Sequence, residues 1–296
     1  MSLFSIFYYL VLSFIYILAI PYLIFKSRNS KYRQAIPAKF FLKDNVPFKE
    51  NGIWFHSCSM GETKAIKSLI ENYLENANIS VITNTGFEEA KKISLNVRYL
   101  PFEIFLPFWV NKQKVLVVME AELWYLLFLF AKKKGAKTLL INARISDKSY
   151  KSYKRFSFFY KRIFQNIDKV FAQSEVDKYR LEELGASNVE VIGNIKLAQL
   201  PKVNIELEKP KQVVITAAST HENEEKLILD AYKKEQGKLI IVPRHPERFE
   251  KVHLQILEFI KDKNISYQRY SIKDDFDSDI ILVDKMGILN DIYAIS

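Results

Sequence analysis

The chain opens on an unbroken apolar stretch, with no charged side chain between Ser2 and Phe25. A helix needs about 20 such residues to cross a bilayer, so the pattern predicts a membrane-spanning helix over 1–26. The stretch lacks the basic leader, short apolar core and small-residue cleavage site of a removable signal, which predicts a retained anchor. Short runs rich in β-branched and aromatic residues then alternate with helical patterns, as in a parallel sheet covered by helices. The first series of strands is expected at 52–56, 79–83, 97–101, 115–119, 138–142, 169–172 and 189–192. A second series follows a Pro- and charge-bearing connection, at 212–218, 238–242, 265–270 and 279–283. The pattern predicts an anchor at 1–26, a basic linker at 27–50, a doubly wound domain at 51–200, a linker at 201–210 and a second α/β domain at 211–296. That second series looks like half a sheet, ending inside a helix that opens at Gly287.

Charge gives the anchor a direction. Lys26, Arg28, Lys31, Arg33, Lys39 and Lys43 follow the apolar run and nothing basic precedes it. The positive-inside rule then places the N-terminus outside and the body in the cytoplasm, a single-pass protein of the inner membrane. The alternative is a helix that lies on the membrane without crossing it. Over the whole chain 44 Lys and Arg oppose 34 Asp and Glu, a net charge of +10. From 132 to 162 there are eleven basic residues against one acid, Asp147, interleaved with Tyr150, Tyr153, Phe156, Phe158, Phe159 and Tyr160. Such a patch suits an anionic partner. Beside a membrane anchor that partner is a phosphorylated lipid surface rather than nucleic acid, and the ordinary alternative is a solvated face. A single cysteine, Cys58, excludes an internal disulfide framework and a Cys-rich zinc site.

Several familiar motifs are absent. None of the eight glycines stand at G-x-G spacing, and no Gly-Lys-Ser/Thr occurs, so neither a dinucleotide nor an ATP site is indicated. His221-Glu222 begins like a zinc-protease helix, but Glu225 stands where the second His should be, so no metal is expected. There is no G-x-S-x-G elbow.

What remains lies where strands run out into loops, which is where open α/β sheets bind ligands. In Ser59-Met60-Gly61-Glu62, Gly61 permits a tight turn or a substrate's close approach, and Glu62 is a candidate general base. The same spacing also describes a capping box between Ser59 and Glu62. Thr83-Asn84-Thr85-Gly86 opens a helix whose amides could hold an anion or sugar hydroxyls, or is an ordinary cap. Glu120 and Glu122, with Trp124, follow an apolar strand and suggest a polar cleft, with helix-dipole stabilisation by Glu122 the alternative. Asn142 and Arg144 follow the next strand. In the second domain Ser219 or Thr220 is expected to cap a helix whose amides, beside His221, would welcome a phosphate. Arg244 and His245, within Pro243-Arg244-His245-Pro246-Glu247-Arg248, are laid out as a phosphate clamp, or form a surface turn between two prolines.

Read together, these segments resemble a family: the membrane-anchored transferases of 3-deoxy-D-manno-octulosonic acid (Kdo) that act on lipid A precursors. The resemblance runs through S-x-G-E at Ser59–Glu62, T-x-T-G at Thr83–Gly86, E-x-E-L-W at Glu120–Trp124, and Asn142-Ala143-Arg144. It continues through Ala172-Gln173-Ser174-Glu175, Gly193-Asn194-Ile195-Lys196, Ala218-Ser219-Thr220-His221-Glu222, Pro243–Arg248 and Met286-Gly287. It implies a metal-free, inverting glycosyltransferase of the GT-B type with two Rossmann-like domains. The first domain would face acceptor and membrane, and the second, incomplete one would hold CMP-Kdo. Glu62 would be the base, with Ser59, Gly61, Thr83, Thr85, Gly86, Glu120, Glu122, Asn142 and Arg144 on the acceptor side. Ser219, Thr220, His221, Arg244, His245, Met286 and Gly287 would lie on the CMP side. Family members continue through a glycine-rich turn and an H-N-P-L-E-P segment that these 296 residues do not contain. Two other readings stay open: a truncated, non-catalytic module that binds anionic lipid, and a GT-B transferase using another nucleotide sugar.

Overall fold

A computed structural model describes residues 2–198, 203 and 205–296. The chain forms two compact units, 1–199 and 200–296. Part of the connection expected at 201–210 lies outside the described residues.

Unit 1 begins with α1 (Leu3–Ser27) and α2 (Ala35–Phe41), then runs β1 (Ile53–Ser57), α3 (Met60–Ala65), α4 (Lys67–Glu71), β2 (Ala77–Val81), α5 (Asn84–Lys91), β3 (Val97–Tyr99) and α6 (Leu106–Trp109). It continues through β4 (Val115–Met119), α7 (Tyr125–Lys133), β5 (Lys137–Ala143), α8 (Asp147–Arg155), α9 (Ser157–Phe164), β6 (Lys169–Ala172), α10 (Glu175–Glu183) and β7 (Val189–Val191). All seven strands are parallel, in the order β3-β2-β1-β4-β5-β6-β7. The central β4 is Val-Leu-Val-Val-Met with four of five residues buried, as a strand covered on both faces requires. The order reverses between β1 and β4, so the crevice that doubly wound sheets offer to ligands opens beyond Ser57 and Met119.

The basic segment at 27–50, expected as a linker, is folded onto this unit. Ala35 and Ala38 of α2 enter the core that contains Phe55, Ile79 and Tyr99. Asn45 is buried and donates to the carbonyls of Ala38 and Tyr99. Helix α1 is likewise held by the body. Phe4, Tyr8, Tyr9 and Leu12 pack on the core that contains Tyr125 and Phe164. The Ser5 hydroxyl lies 2.7 Å from the Tyr125 hydroxyl, Tyr8 donates to Glu103 at 2.5 Å, and Tyr16 donates to the Phe40 carbonyl at 2.5 Å. Burial pushes the Glu103 carboxyl up to about 7, against the hydrogen bonds donated by Tyr8 and the Leu126 amide.

Unit 2 contains β8 (Val214–Thr220), α11 (Glu224–Ala231), β9 (Lys238–Pro243), α12 (Phe249–Ile260), β10 (Tyr267–Arg269), β11 (Ile280–Leu282) and α13 (Leu289–Ile295). Its strands are parallel in the order β10-β11-β9-β8. β9 and β11 are buried throughout, whereas β8 is an edge with Val213 beside it and Ile215 within it exposed. The final helix opens at Leu289, two residues beyond Gly287, which takes a positive φ of 90°.

Candidate active site

In unit 1 the expected residues gather at the C-terminal ends of β1, β2, β4 and β5. Ser59 caps α3, its hydroxyl accepting from the Glu62 amide at 3.4 Å and donating to Glu62 Oε1 at 3.1 Å. Glu62 Oε2 accepts the amide of Cys58, the residue before the cap, at 2.7 Å, a variant of the capping box shifted by one residue. That geometry is compatible with a chemical role as well, because the carboxylate is only partly covered. Burial raises its pKa, the Cys58 amide opposes the rise, and the negative charge of Glu122 adds to it. Gly61 has an ordinary backbone conformation with open space around it, so a tight turn is not its reason for being there. Gly86 is the constrained glycine: a Cβ there would stand 3.0 Å from Thr83 Oγ1 and 3.2 Å from the Cys58 carbonyl. Thr83 caps α5, accepting from Gly86, and ties it to the Ser59–Glu62 turn by donating to the Cys58 carbonyl at 3.0 Å. Thr85 is exposed, its hydroxyl 3.4 Å from that of Thr83.

The two acids after β4 part company. Glu122 turns toward the Glu62 turn. It accepts from Trp124 Nε1 at 2.7 Å and lies 3.9 Å from Nε2 of the buried His56. Burial alone would push its carboxyl up, but His56, Trp124 and Cys58 hold it below the ordinary range. The site thus contains two carboxylates shifted in opposite directions. The Cys58 thiol is pushed up to about 12 by burial and then by Glu122 and Glu62, so it stays protonated. Glu120 instead pairs with Lys196 at 2.6 Å and accepts from the Asn142 amide at 3.4 Å. Asn142 is fully buried, and its Oδ1 accepts the Ile195 amide at 3.0 Å. Glu120 and Asn142 both carry positive φ, 53° and 54°. They form a clasp on the segment after β7. Arg144 is exposed and makes no hydrogen bond or ion pair within the described residues.

Sequence reasoning assigned no role to His56, Lys39 or Lys196. His56 lies fully buried in β1 beside the buried Ser57, its Nδ1 2.8 Å from the Ser80 hydroxyl. Lys39 reaches across from α2 to donate to the Ile82 carbonyl, and burial lowers its pKa. No residue spacing announces a contact of that kind. The basic patch at 132–162 is partly neutralised by the Lys132–Asp168 and Lys154–Glu183 pairs, while its one acid, Asp147, is taken by Arg180 from outside it.

In unit 2 the expected cap is not made. β8 runs on through Thr220 with a register irregularity after Ala218, Ser219 takes a left-handed φ of 56°, and α11 starts only at Glu224. The Thr220 hydroxyl donates to Glu225, and the His221 amide is taken by Glu224. The amide expected for a phosphate is thus occupied by a carboxylate. Arg248 holds the fully buried Glu225 in a two-pronged pair at 2.7 and 2.9 Å. Arg244 remains available: it is exposed, 3.3 Å from His221 Nε2, and the His221 and His245 rings are 6.0 Å apart. Met286 and Gly287 follow β11 at the same end of this sheet. Among the described residues no group of His, Cys, Asp and Glu could hold a metal ion.

The sequence profile of the 3-deoxy-D-manno-octulosonic acid transferases matches residues 28–199. A bifunctional glycosyltransferase/methyltransferase of Fusobacterium nucleatum is 36% identical over 83% of this chain and 42% of its own length. A 3-deoxy-D-manno-octulosonic acid transferase of Rickettsia felis is 33% identical over 82% of this chain and 57% of its own, and that of Haemophilus influenzae is 28% identical over 97% and 72%. The chain spans about half the length of the first two. A crystal structure of a glycosyltransferase from Rickettsia africae superposes with a TM-score of 0.44 at 14% identity, over 84% of this chain and 72% of that one.

Proposed function

Because the chain belongs to the 3-deoxy-D-manno-octulosonic acid transferase family, we propose that it transfers Kdo from CMP-Kdo to a lipid A precursor at the inner membrane, with Glu62 as general base. The observation that carries this reading is the pair of carboxylates at the switch point of the first sheet, Glu62 raised and Glu122 lowered. A carboxylate whose pKa is raised is the stronger proton acceptor once ionised. The acceptor hydroxyl gives its proton to Glu62, and its oxygen forms a bond to the anomeric carbon of Kdo. The bond to the CMP phosphate oxygen breaks on the opposite face, and the configuration inverts. Charge developing on the departing phosphate is met by the Arg244 fork with His221 and His245. Ser219, Thr220, Met286 and Gly287 extend the donor side along the same edge. Ser59, Gly61, Thr83, Thr85 and Gly86 shape the acceptor side, with Arg144 as a free cation for an acceptor anion. The Lys196–Glu120–Asn142 clasp positions backbone, not substrate. The step routes no charge through a metal.

The test is a transfer assay on the detergent-solubilised full chain with CMP-Kdo and a lipid A precursor, reading lipid mass and released CMP. Glu62→Gln keeps the capping box, which accepts Gln as well as Glu, and removes the base. We expect transfer to fall by about 10²–10⁴-fold with the melting temperature retained. Full transfer by the Gln variant removes Glu62 from the base role. Lipid binding without any CMP release by the unmodified chain supports the lipid-binding module instead.

A further inference from the structure

The burial pattern of α1 bears on how the protein meets the membrane. Positions 4, 5, 8, 9, 12, 13, 16, 19, 20, 23, 26 and 27 are buried or half-buried and the rest of the helix is exposed, a stripe at helical spacing along nearly its whole length. The shielded face is held to the body from its first turn to Tyr16, and Leu23 is buried beyond that. Near the N-terminus, Lys133, Arg162 and Gln165 surround Ser2 and Phe4, with the Arg162 guanidinium 4.4 Å from the Phe4 ring centre. Further along, Tyr8 meets the buried Glu103, and Tyr16 meets Phe102, Phe105 and the Phe40 carbonyl. The exposed face is apolar, with Phe7, Leu10, Phe14, Leu18 and Phe25 all open.

A helix of 25 residues is about 37 Å long. If it crossed the bilayer with Lys26 and Arg28 at the near headgroups, its N-terminal turn would stand in the far leaflet, about 30 Å away. Lys133 and Arg162 would be carried there with it, at about 2.5–3.5 kcal/mol for each charge in the hydrocarbon. The companion helices α7 and α9 and the sheet behind them would have to follow. Docking along the body and crossing the membrane are therefore mutually exclusive. We infer that α1 lies in the plane of one leaflet, its open apolar face in the acyl chains and its stripe on the body, so that both ends of the helix and the whole protein stay on one side.

The occupant of the open face is the lipid bilayer. The face is continuous and aromatic-rich, and it is bordered by cations at both ends, Lys133 and Arg162 at one and Lys26, Arg28 and Lys31 at the other, as an anionic leaflet favours. Phe108 and Phe158, on α6 and α9, are also exposed beside it. The inference is independent of the transfer chemistry, and its test reads no activity. A polar peptide tag carrying a protease site is added before Met1 of the full chain, and sealed membrane vesicles of both orientations are treated with the protease. A tag is always in water, so it is cut from one side only. In-plane α1 predicts that tag and body are digested from the same side, with the chain sedimenting with the membranes. A tag cut only from the side opposite the body, or a chain left in the soluble fraction, overturns the inference.

Discussion

Two turns in this molecule share the spacing S-x-x-E after a parallel strand, and only one becomes a capping box. At Ser59–Glu62 the strand ends cleanly at Ser57, Ser59 takes an extended backbone and caps α3, and the carboxylate folds back onto the Cys58 amide. At Ser219–Glu222 the strand runs three residues further relative to the serine, Ser219 lies in the left-handed region, and Glu222 leaves the turn to pair with Lys251 on α12. A cap needs extended φ and ψ at the capping residue, so the strand's ending decides what the same four letters do. One turn keeps a carboxylate at the crevice. The other sends Glu222 away to Lys251, keeps Glu224 on the His221 amide and leaves the Arg244 and His221 side chains facing solvent.

The largest break in this comparison comes at the support of the second turn. Arg248 neutralises Glu225, whose side chain has no exposed surface, and also donates to the Thr220 carbonyl. Arg248→Ala leaves a buried charge unpaired, at about 3–5 kcal/mol, and we expect a matching loss in denaturant unfolding of the full chain. The pH dependence should also invert. Burial alone would raise the Glu225 pKa, but Arg248 and Thr220 hold it below the ordinary value. The pair's contribution is therefore present above that ordinary value and lost as pH falls through the depressed one. Without Arg248 the folded value rises, and stability is lost instead as pH climbs through it. An unchanged acid limb in the variant rules out the pairing as the source of acid sensitivity.

These turns also mark where the fold was legible. The apolar runs are visible without a structure: Val115–Met119 admits no other reading, and each expected run contains or overlaps an observed strand. The ends were not legible, because the register irregularity after Ala218 leaves no trace in Ser219-Thr220-His221, which spells a cap. The segment at 27–50 was missed for a related reason. Arg33, Lys39 and Lys43 dominate its composition, whereas the three small or apolar residues Ala35, Ile36 and Ala38 dominate its energetics. For α1, an apolar residue facing protein and one facing lipid are the same letter, so its two faces could not be told apart. In the candidate site Glu62 and Glu122 were legible by position. Their opposite shifts depend on burial at Glu62 and, at Glu122, on Trp124 beside it and on His56 and Cys58 brought up from the end of β1.

A smaller break lies at the glycines of the first turn. Gly86 presses α5 against the Cys58–Ser59 backbone, where an added Cβ would come within 3.3 Å of the Ser59 carbonyl carbon. Gly86→Ala should cost about 1–3 kcal/mol by overpacking and should disturb the Cys58 amide that holds Glu62. Gly61→Ala meets nothing, so stability should hold or gain up to about 0.5 kcal/mol from helix propensity. If transfer nevertheless drops in Gly61→Ala, the open space above Gly61 is where the acceptor approaches. Equal melting temperatures for the two variants would remove the distinction.

The smallest effect separates the two serines themselves. Ser59 accepts the Glu62 amide, and its loss in Ser59→Ala leaves a helix-end donor without its cap, at about 1 kcal/mol. Ser219→Ala removes a hydroxyl that caps nothing and leaves the left-handed backbone as it was, since Ala and Ser are both ill suited to it. The expected change is within about 0.5 kcal/mol, as for a surface substitution. Paired denaturant titrations of the two variants resolve that difference. An equal cost at both sites would mean that Ser219 caps α11 after all, with the strand ending earlier than β8 does here and its amides released for an anion.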